Sequence, residues 1–97
     1  MKKLNRYRLR HSENKVYMPC NSVVISASCE KGIEENFIFI HTVEEIPEIN
    51  DDVQLFEERT FIITEFNHTL KRSVEYIGSI QLGNAFTQHV FEVLKDE

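Results

Sequence analysis

Apolar and polar residues alternate along most of this chain with a period of two, which predicts β-strands with one buried and one solvated face. Tyr7, Leu9 and His11 alternate with Arg6, Arg8 and Arg10, predicting a strand with an apolar and a cationic face. Val16-Tyr17-Met18 runs into Pro19, which ends a strand or confines it to an edge. After the turn residues Asn21-Ser22, Val23, Ile25, Ala27 and Cys29 are expected on one face of a strand, and Val24, Ser26, Ser28 and Glu30 on the other. Lys31-Gly32 closes that strand, with Gly32 expected to adopt a positive φ. Phe37 to Val43 is apolar on both faces and rich in aromatic and β-branched residues, which predicts a central buried strand rather than a helix.

Residues 44–58 break the alternation. They hold Pro47 and Asn50-Asp51-Asp52, so a long excursion is expected, with a short helical turn near Val53-Gln54-Leu55-Phe56. Strand character resumes from Arg59 to Phe66, and Asn67-His68-Thr69 reads as a hairpin tip. Val74 to Leu82 forms another strand, in which Gly78 marks a bulge or a close backbone approach. Gly83-Asn84 turns it into Ala85 to Leu94. There Phe86, Gln88, Val90 and Glu92 share one face, and Thr87, His89, Phe91 and Val93 the other. About six or seven short strands joined by turn signals predict a mainly β single domain over residues 1–97. Its architecture is expected to be an antiparallel sandwich or a small, partly open barrel, with at most one short helix near 44–58.

Composition narrows the function classes. The 97 residues have a formal charge of −5, which weighs against non-specific nucleic-acid binding. No apolar run approaches the roughly 20 residues of a membrane span, and no apolar stretch follows the basic start. A cytoplasmic protein with two reduced thiols, Cys20 and Cys29, is expected. The net charge conceals an asymmetry. Residues 1–15 hold six cations against Glu13 alone, so they carry +5 and the remainder −10. Glu44, Glu45, Glu48, Asp51, Asp52, Glu57 and Glu58 fall in a 15-residue stretch without Lys or Arg. A basic arm and an acidic belt can neutralise each other, within one molecule or between two, or each can recruit a partner.

Catalytic and metal motifs are absent. Gly32, Gly78 and Gly83 are isolated, and C-x-x-C, H-E-x-x-H and G-x-S-x-G do not occur. His11, His41, His68 and His89 could join Cys20 or Cys29 around zinc, but none sits at the close spacing of a ligand pair. No catalytic residue, metal or cofactor is expected, and His41 and His89 are read as packing residues of strands.

The chain resembles a family of small uncharacterised phage and bacterial proteins, a domain of unknown function. The matching pieces are Tyr7, Val16-Tyr17-Met18-Pro19, Val24-Ile25 with Glu30-Lys31-Gly32, and Arg59-Thr60-Phe61. Tyr76-Ile77-Gly78-Ser79-Ile80-Gln81-Leu82-Gly83 and the closing His89-Val90-Phe91-Glu92 follow in order. Gln88 stands where members usually carry an aromatic, and Thr64-Glu65-Phe66-Asn67-His68 where they are Gly-rich. The resemblance implies a short-strand fold and a phage-type origin, and it carries no assigned activity.

The leading expectation is a non-enzymatic binding protein that inhibits or modulates a host factor, such as a defence factor, in the bacterial cytoplasm. Its partner, a host or phage protein, would meet Glu44, Glu45, Glu48, Asp51, Asp52, Glu57 and Glu58, with Leu55 and Phe56 as apolar anchors. The alternative is an anionic, nucleotide-like ligand held or sequestered on Arg6, Arg8 and Arg10. A homo-oligomer is also expected, formed by pairing the cationic first strand with a neighbour's acidic belt.

Overall fold

The computed structural model describes residues 1–47, 53–65, 69–82 and 86–94. It is all-β among these residues. The strands are β1 (Lys2–Leu9), β2 (Glu13–Pro19), β3 (Val23–Lys31), β4 (Asn36–Glu45), β5 (Phe56–Glu65), β6 (Val74–Leu82) and β7 (Phe86–Val93). They form two antiparallel sheets, ordered β1-β4-β3 and β2-β5-β7-β6. The two sheets are hydrogen-bonded separately, as in a small sandwich, and do not close into a barrel. The chain crosses between layers at Arg10–Ser12, at Cys20–Ser22 and between β4 and β5.

Each crossing has a local cause. In the first, Asn14 accepts from the Arg10 and His11 backbone N–H groups at 2.8 and 2.9 Å and donates to the His11 carbonyl. This buried Asn satisfies the corner's backbone. His11 therefore lies in the turn, beyond the strand end at Leu9. In the second crossing, Asn21 takes the left-handed conformation (φ 67°), which Asn tolerates, and Ser22 bonds back to the Pro19 carbonyl.

The expected helical turn at 53–56 does not form. Residues 53–55 have no regular structure and Phe56 already belongs to β5. Once Phe56 pairs with Pro19 across β2 and the Cys20 N–H bonds the Leu55 carbonyl, this backbone is committed to sheet geometry. Nor is Asn67-His68-Thr69 the tip of a hairpin. β5 and β6 both pair with β7, so the 66–73 connection crosses to a non-adjacent strand; Phe66, Asn67 and His68 themselves lie outside the described residues. β6 and β7 pair antiparallel as consecutive strands, with Leu82 opposite Phe86; Gly83 and Asn84, where the turn is expected, lie outside the described residues.

β4 is the central strand of its sheet, as its composition predicts, but only its inner face is buried, since no second layer lies over Phe37, Phe39, His41 and Val43. The face assignment of β3 needs a correction. A bulge between Val24 and Ser26 removes Ile25 from the alternation, so Val24, Ala27 and Cys29 turn inward opposite Thr42, Ile40 and Ile38. Val23 and Ile25 are exposed, although strict alternation places them with Ala27 and Cys29. Gly32 departs from expectation too: its backbone is not in the left-handed region. A side chain there would meet the Glu35 carbonyl oxygen at 2.5 Å and the Phe37 ring, so the hairpin requires glycine for space. At Gly78 the bulge expectation holds, with the register shift at Ile77 next to it, whereas a Cβ at Gly78 would meet Ala27 of β3 only at ordinary contact distances of 3.7 and 3.9 Å.

Leu9, Val16, Met18, Ile40, Phe61, Ile80 and Val90 form the buried core between the layers, with Tyr7, Val24, Ala27, Cys29, Ile38, Ile63 and Ile77 packed around it. Apolar contact is the main stabilising term of such a sandwich. Towards the end where β4 finishes and β5 begins, the interior turns polar.

Candidate functional site

That polar end has two satisfied clusters. On the three-stranded sheet, Glu44 is buried and accepts hydrogen bonds from Tyr7 (2.5 Å), Thr42 (3.0 Å) and Asn5 (3.3 Å). Burial, reinforced by the Glu44 carboxylate, pushes the Tyr7 hydroxyl up to about 12. On the four-stranded sheet, Arg59 grips Glu92 in bidentate fashion, Nε to Oε2 at 2.6 Å and Nη2 to Oε1 at 2.7 Å, and Nη1 donates to the Ser22 carbonyl. The Glu92 hydrogen bonds raise the Arg59 guanidinium above its ordinary value, outweighing the opposing effect of burial. Glu57 lies on the same inward face, 3.9 Å from Arg59.

The acidic belt is therefore split by the pleat. Glu44 is held by its interior hydrogen bonds and Glu57 faces Arg59, so neither offers a free carboxylate to a partner. Glu45, with its side chain 62% exposed and 3.7 Å from the Met1 amino group, stays at the surface, as does Glu58, 4.0 Å from Lys15. Glu48, Asp51 and Asp52 lie outside the described residues.

Leu55 and Phe56, the expected anchors, are 67% and 57% exposed. They have apolar company that the acidic pattern did not point to. Val53 is exposed on the same segment, and Tyr17 projects from the outer face of β2, directly opposite Glu58 and diagonal to Phe56. The available signal was the β2 alternation itself, since Val16 and Met18 inward forces Tyr17 outward. An open cleft of about 520 Å³ lies beside these residues, lined by Met1, Cys20, Glu45, Pro47, Gln54 and Leu55. Gln54 Nε2 ties the segment to the Glu45 carbonyl at 2.9 Å.

The cationic strand is arranged differently. Arg6 and Arg8 do share the outer face of β1. Each guanidinium stacks on a ring of β4, Arg6 on Phe39 and Arg8 on Phe37, both 4.2 Å from the ring centroid. Each also pairs with a carboxylate, Arg6 with Glu30 at 2.6 Å and Arg8 with Glu35 at 3.0 Å. Further along, the register sets Lys2 against Glu45 and Lys3 against Glu44. Arg10 lies past the strand end, so the three arginines do not converge on one site. The arginine stems and heads cover the outer side of β4, which explains how an apolar strand sits in a sheet with no second layer above it.

His41 is bonded to Ser28 at 2.7 Å on the open outer sheet face, and His89 contacts Tyr76. Among the described residues no three His, Cys, Asp or Glu side chains gather as metal ligands would. Cys20 and Cys29 are free thiols, and no described helix is long and apolar enough to cross a membrane. No protein-family model matches the chain, and no curated protein or solved structure matches it either.

Proposed function

We propose that this domain is a non-enzymatic protein-binding module that engages its partner through the corner formed by Tyr17, Val53, Leu55, Phe56 and Glu58. The observation that carries this reading is the exposure of four large apolar side chains on adjoining segments beside surface carboxylates. Large apolar groups grouped at a surface and rimmed by charge are the composition of an interface centre. The partner surface this corner fits is apolar with a basic rim that takes the place of the Met1 amino group and Lys15 beside Glu45 and Glu58. That the partner is a host factor rests on the family resemblance alone.

The reading with Arg6, Arg8 and Arg10 as an anion site is the weaker one. Two of its three guanidinium groups already serve a ring and a carboxylate, and an anion would have to displace Glu30 and Glu35.

The double substitution Leu55→Ser/Phe56→Ser removes apolar surface that is largely exposed, so its thermal midpoint should stay within a few degrees of the parent. Capture of the partner from a bacterial lysate on immobilised protein should fall at least about tenfold, as loss of interface anchors implies. Undiminished capture by a folded double variant would refute this placement of the site.

A further inference from the structure

β5 and β6 both run antiparallel to β7 and so are parallel to each other, which obliges the chain between them to return along the sheet. β5 ends at Glu65 opposite Gln88, and β6 begins at Val74 opposite Val93, at the far end of β7. The described part of this link lies over the outer face of β5. Ile62 alternates with the core residue Phe61 and points away from the core, yet it is only 9% exposed. Its cover is the link. Ile62 and Thr64 share a cavity of about 410 Å³ with Leu70 and Val74, a volume in the range of small-molecule sites. Arg72 of the link is paired with Glu13, the residue opposite Ile62 on β2.

The cavity has an apolar floor, supplied by Ile62, Leu70 and Val74, and a charged mouth formed by Glu13, Lys71 and Arg72. Arg72 and Glu13 neutralise each other. Lys71 is exposed and has no carboxylate partner among the described residues, so the mouth carries one uncompensated positive charge. Thr69 stands beside it with a hydroxyl that can donate to an anion.

We propose that this cavity binds a small amphipathic monocarboxylate, with its aliphatic chain over Ile62, Leu70 and Val74 and its carboxylate at Lys71. The charge of the mouth selects this class. A neutral apolar molecule leaves Lys71 unpaired, and a multiply charged anion brings more negative charge beside Glu13 than one ammonium group offsets. A nucleotide would lay its polar sugar and phosphates on the apolar floor, where they lose water without gaining partners. The site lies at the Glu13–Ile62 end of the β2–β5 ladder, and the Leu55–Phe56 corner lies at the other end, so the two are independent.

Titration of the isotopically labelled protein with hexanoate, octanoate and decanoate, each below its micelle concentration, and followed by amide NMR, tests this. Decanoate should bind saturably and move the amides of Ile62, Ile63, Thr64, Leu70 and Lys71. Affinity should rise about threefold to fourfold for each methylene added from hexanoate to decanoate, as burial of the chain requires. The exposed-site variant Lys71→Glu should keep its fold and weaken decanoate about fivefold or more, while binding of the neutral alcohol decanol stays unchanged. Thr64→Trp fills the cavity and should abolish binding of both. The proposal is overturned by the absence of saturable shifts at these residues, or by shifts confined to Tyr17, Leu55 and Phe56. It is equally overturned if Lys71→Glu leaves decanoate affinity intact or weakens decanol as much as decanoate.

Discussion

Tyr7 shows most directly how one residue's surroundings turn a sequence signal into a different property. Alternation with Arg6 and Arg8 places Tyr7 inward, and it does face inward. The alternation says nothing of Glu44, 37 residues away, whose carboxylate accepts the Tyr7 hydroxyl. Glu44 belongs by sequence to an acidic run and by structure to the interior, because β4 continues to Glu45 and the pleat turns every second residue in. The same parity decides Glu57 and Glu58.

A pH dependence follows from this residue. Folding raises the Tyr7 hydroxyl from 10.0 to about 12, so the folded state holds its proton more tightly than the unfolded chain does. That stabilisation is complete below pH 10 and is lost as pH rises through about 12. Chemical denaturation at a series of alkaline pH values should show stability falling across this window. The Tyr7→Phe variant should show a shallower fall; an identical fall would mean that Tyr7 is not the titrating group.

Among the elements, the strands were largely readable because both layers have one dry face, which imposes a period of two. β1 as far as Leu9 and β7 have the inward and outward residues their patterns predict. Where reading failed, the cause was an added residue or a non-local choice of partner. The β3 bulge at Ile25 shifts register by one, and nothing in Val23-Val24-Ile25-Ser26 marks which apolar residue will be skipped. Likewise Asn67-His68-Thr69 has turn chemistry, but turn chemistry alone does not say whether the next strand is adjacent or one removed. The β3–β4 hairpin rests on Gly32 for a steric reason. Gly32→Ala should destabilise the domain by about 1–3 kcal/mol, the range for inserting a methyl group into occupied space. A thermal or urea melt checks this, and an unchanged midpoint would show that the Phe37 ring and Glu35 carbonyl yield freely.

For the whole molecule, the charge division of the chain becomes an internal arrangement. The basic arm is laid along the strand that ends in Glu44 and Glu45, and Arg6 and Arg8 close onto Glu30 and Glu35 while shielding Phe39 and Phe37. The basic arm and its acidic partners thus cover the outer face of the three-stranded sheet more than they advertise a ligand site. Besides single exposed residues such as Leu4, Ile33 and Phe86, uncovered apolar surface falls at the Tyr17–Phe56 corner and along the β3/β6 flank. Neither location could be read from composition. The first depends on β2 and β5 being neighbours, and the second on which strands end up at the edges.

Photo-crosslinking separates the two accounts of how the domain meets a ligand. A photoreactive amino acid is placed at Val53, beside the apolar corner, or at Arg10, on the cationic side, and each protein is irradiated in bacterial lysate. The corner account predicts a discrete protein adduct from position 53 that disappears when Leu55→Ser/Phe56→Ser is added, and no such adduct from position 10. An adduct formed from position 10 and not from position 53 would contradict it.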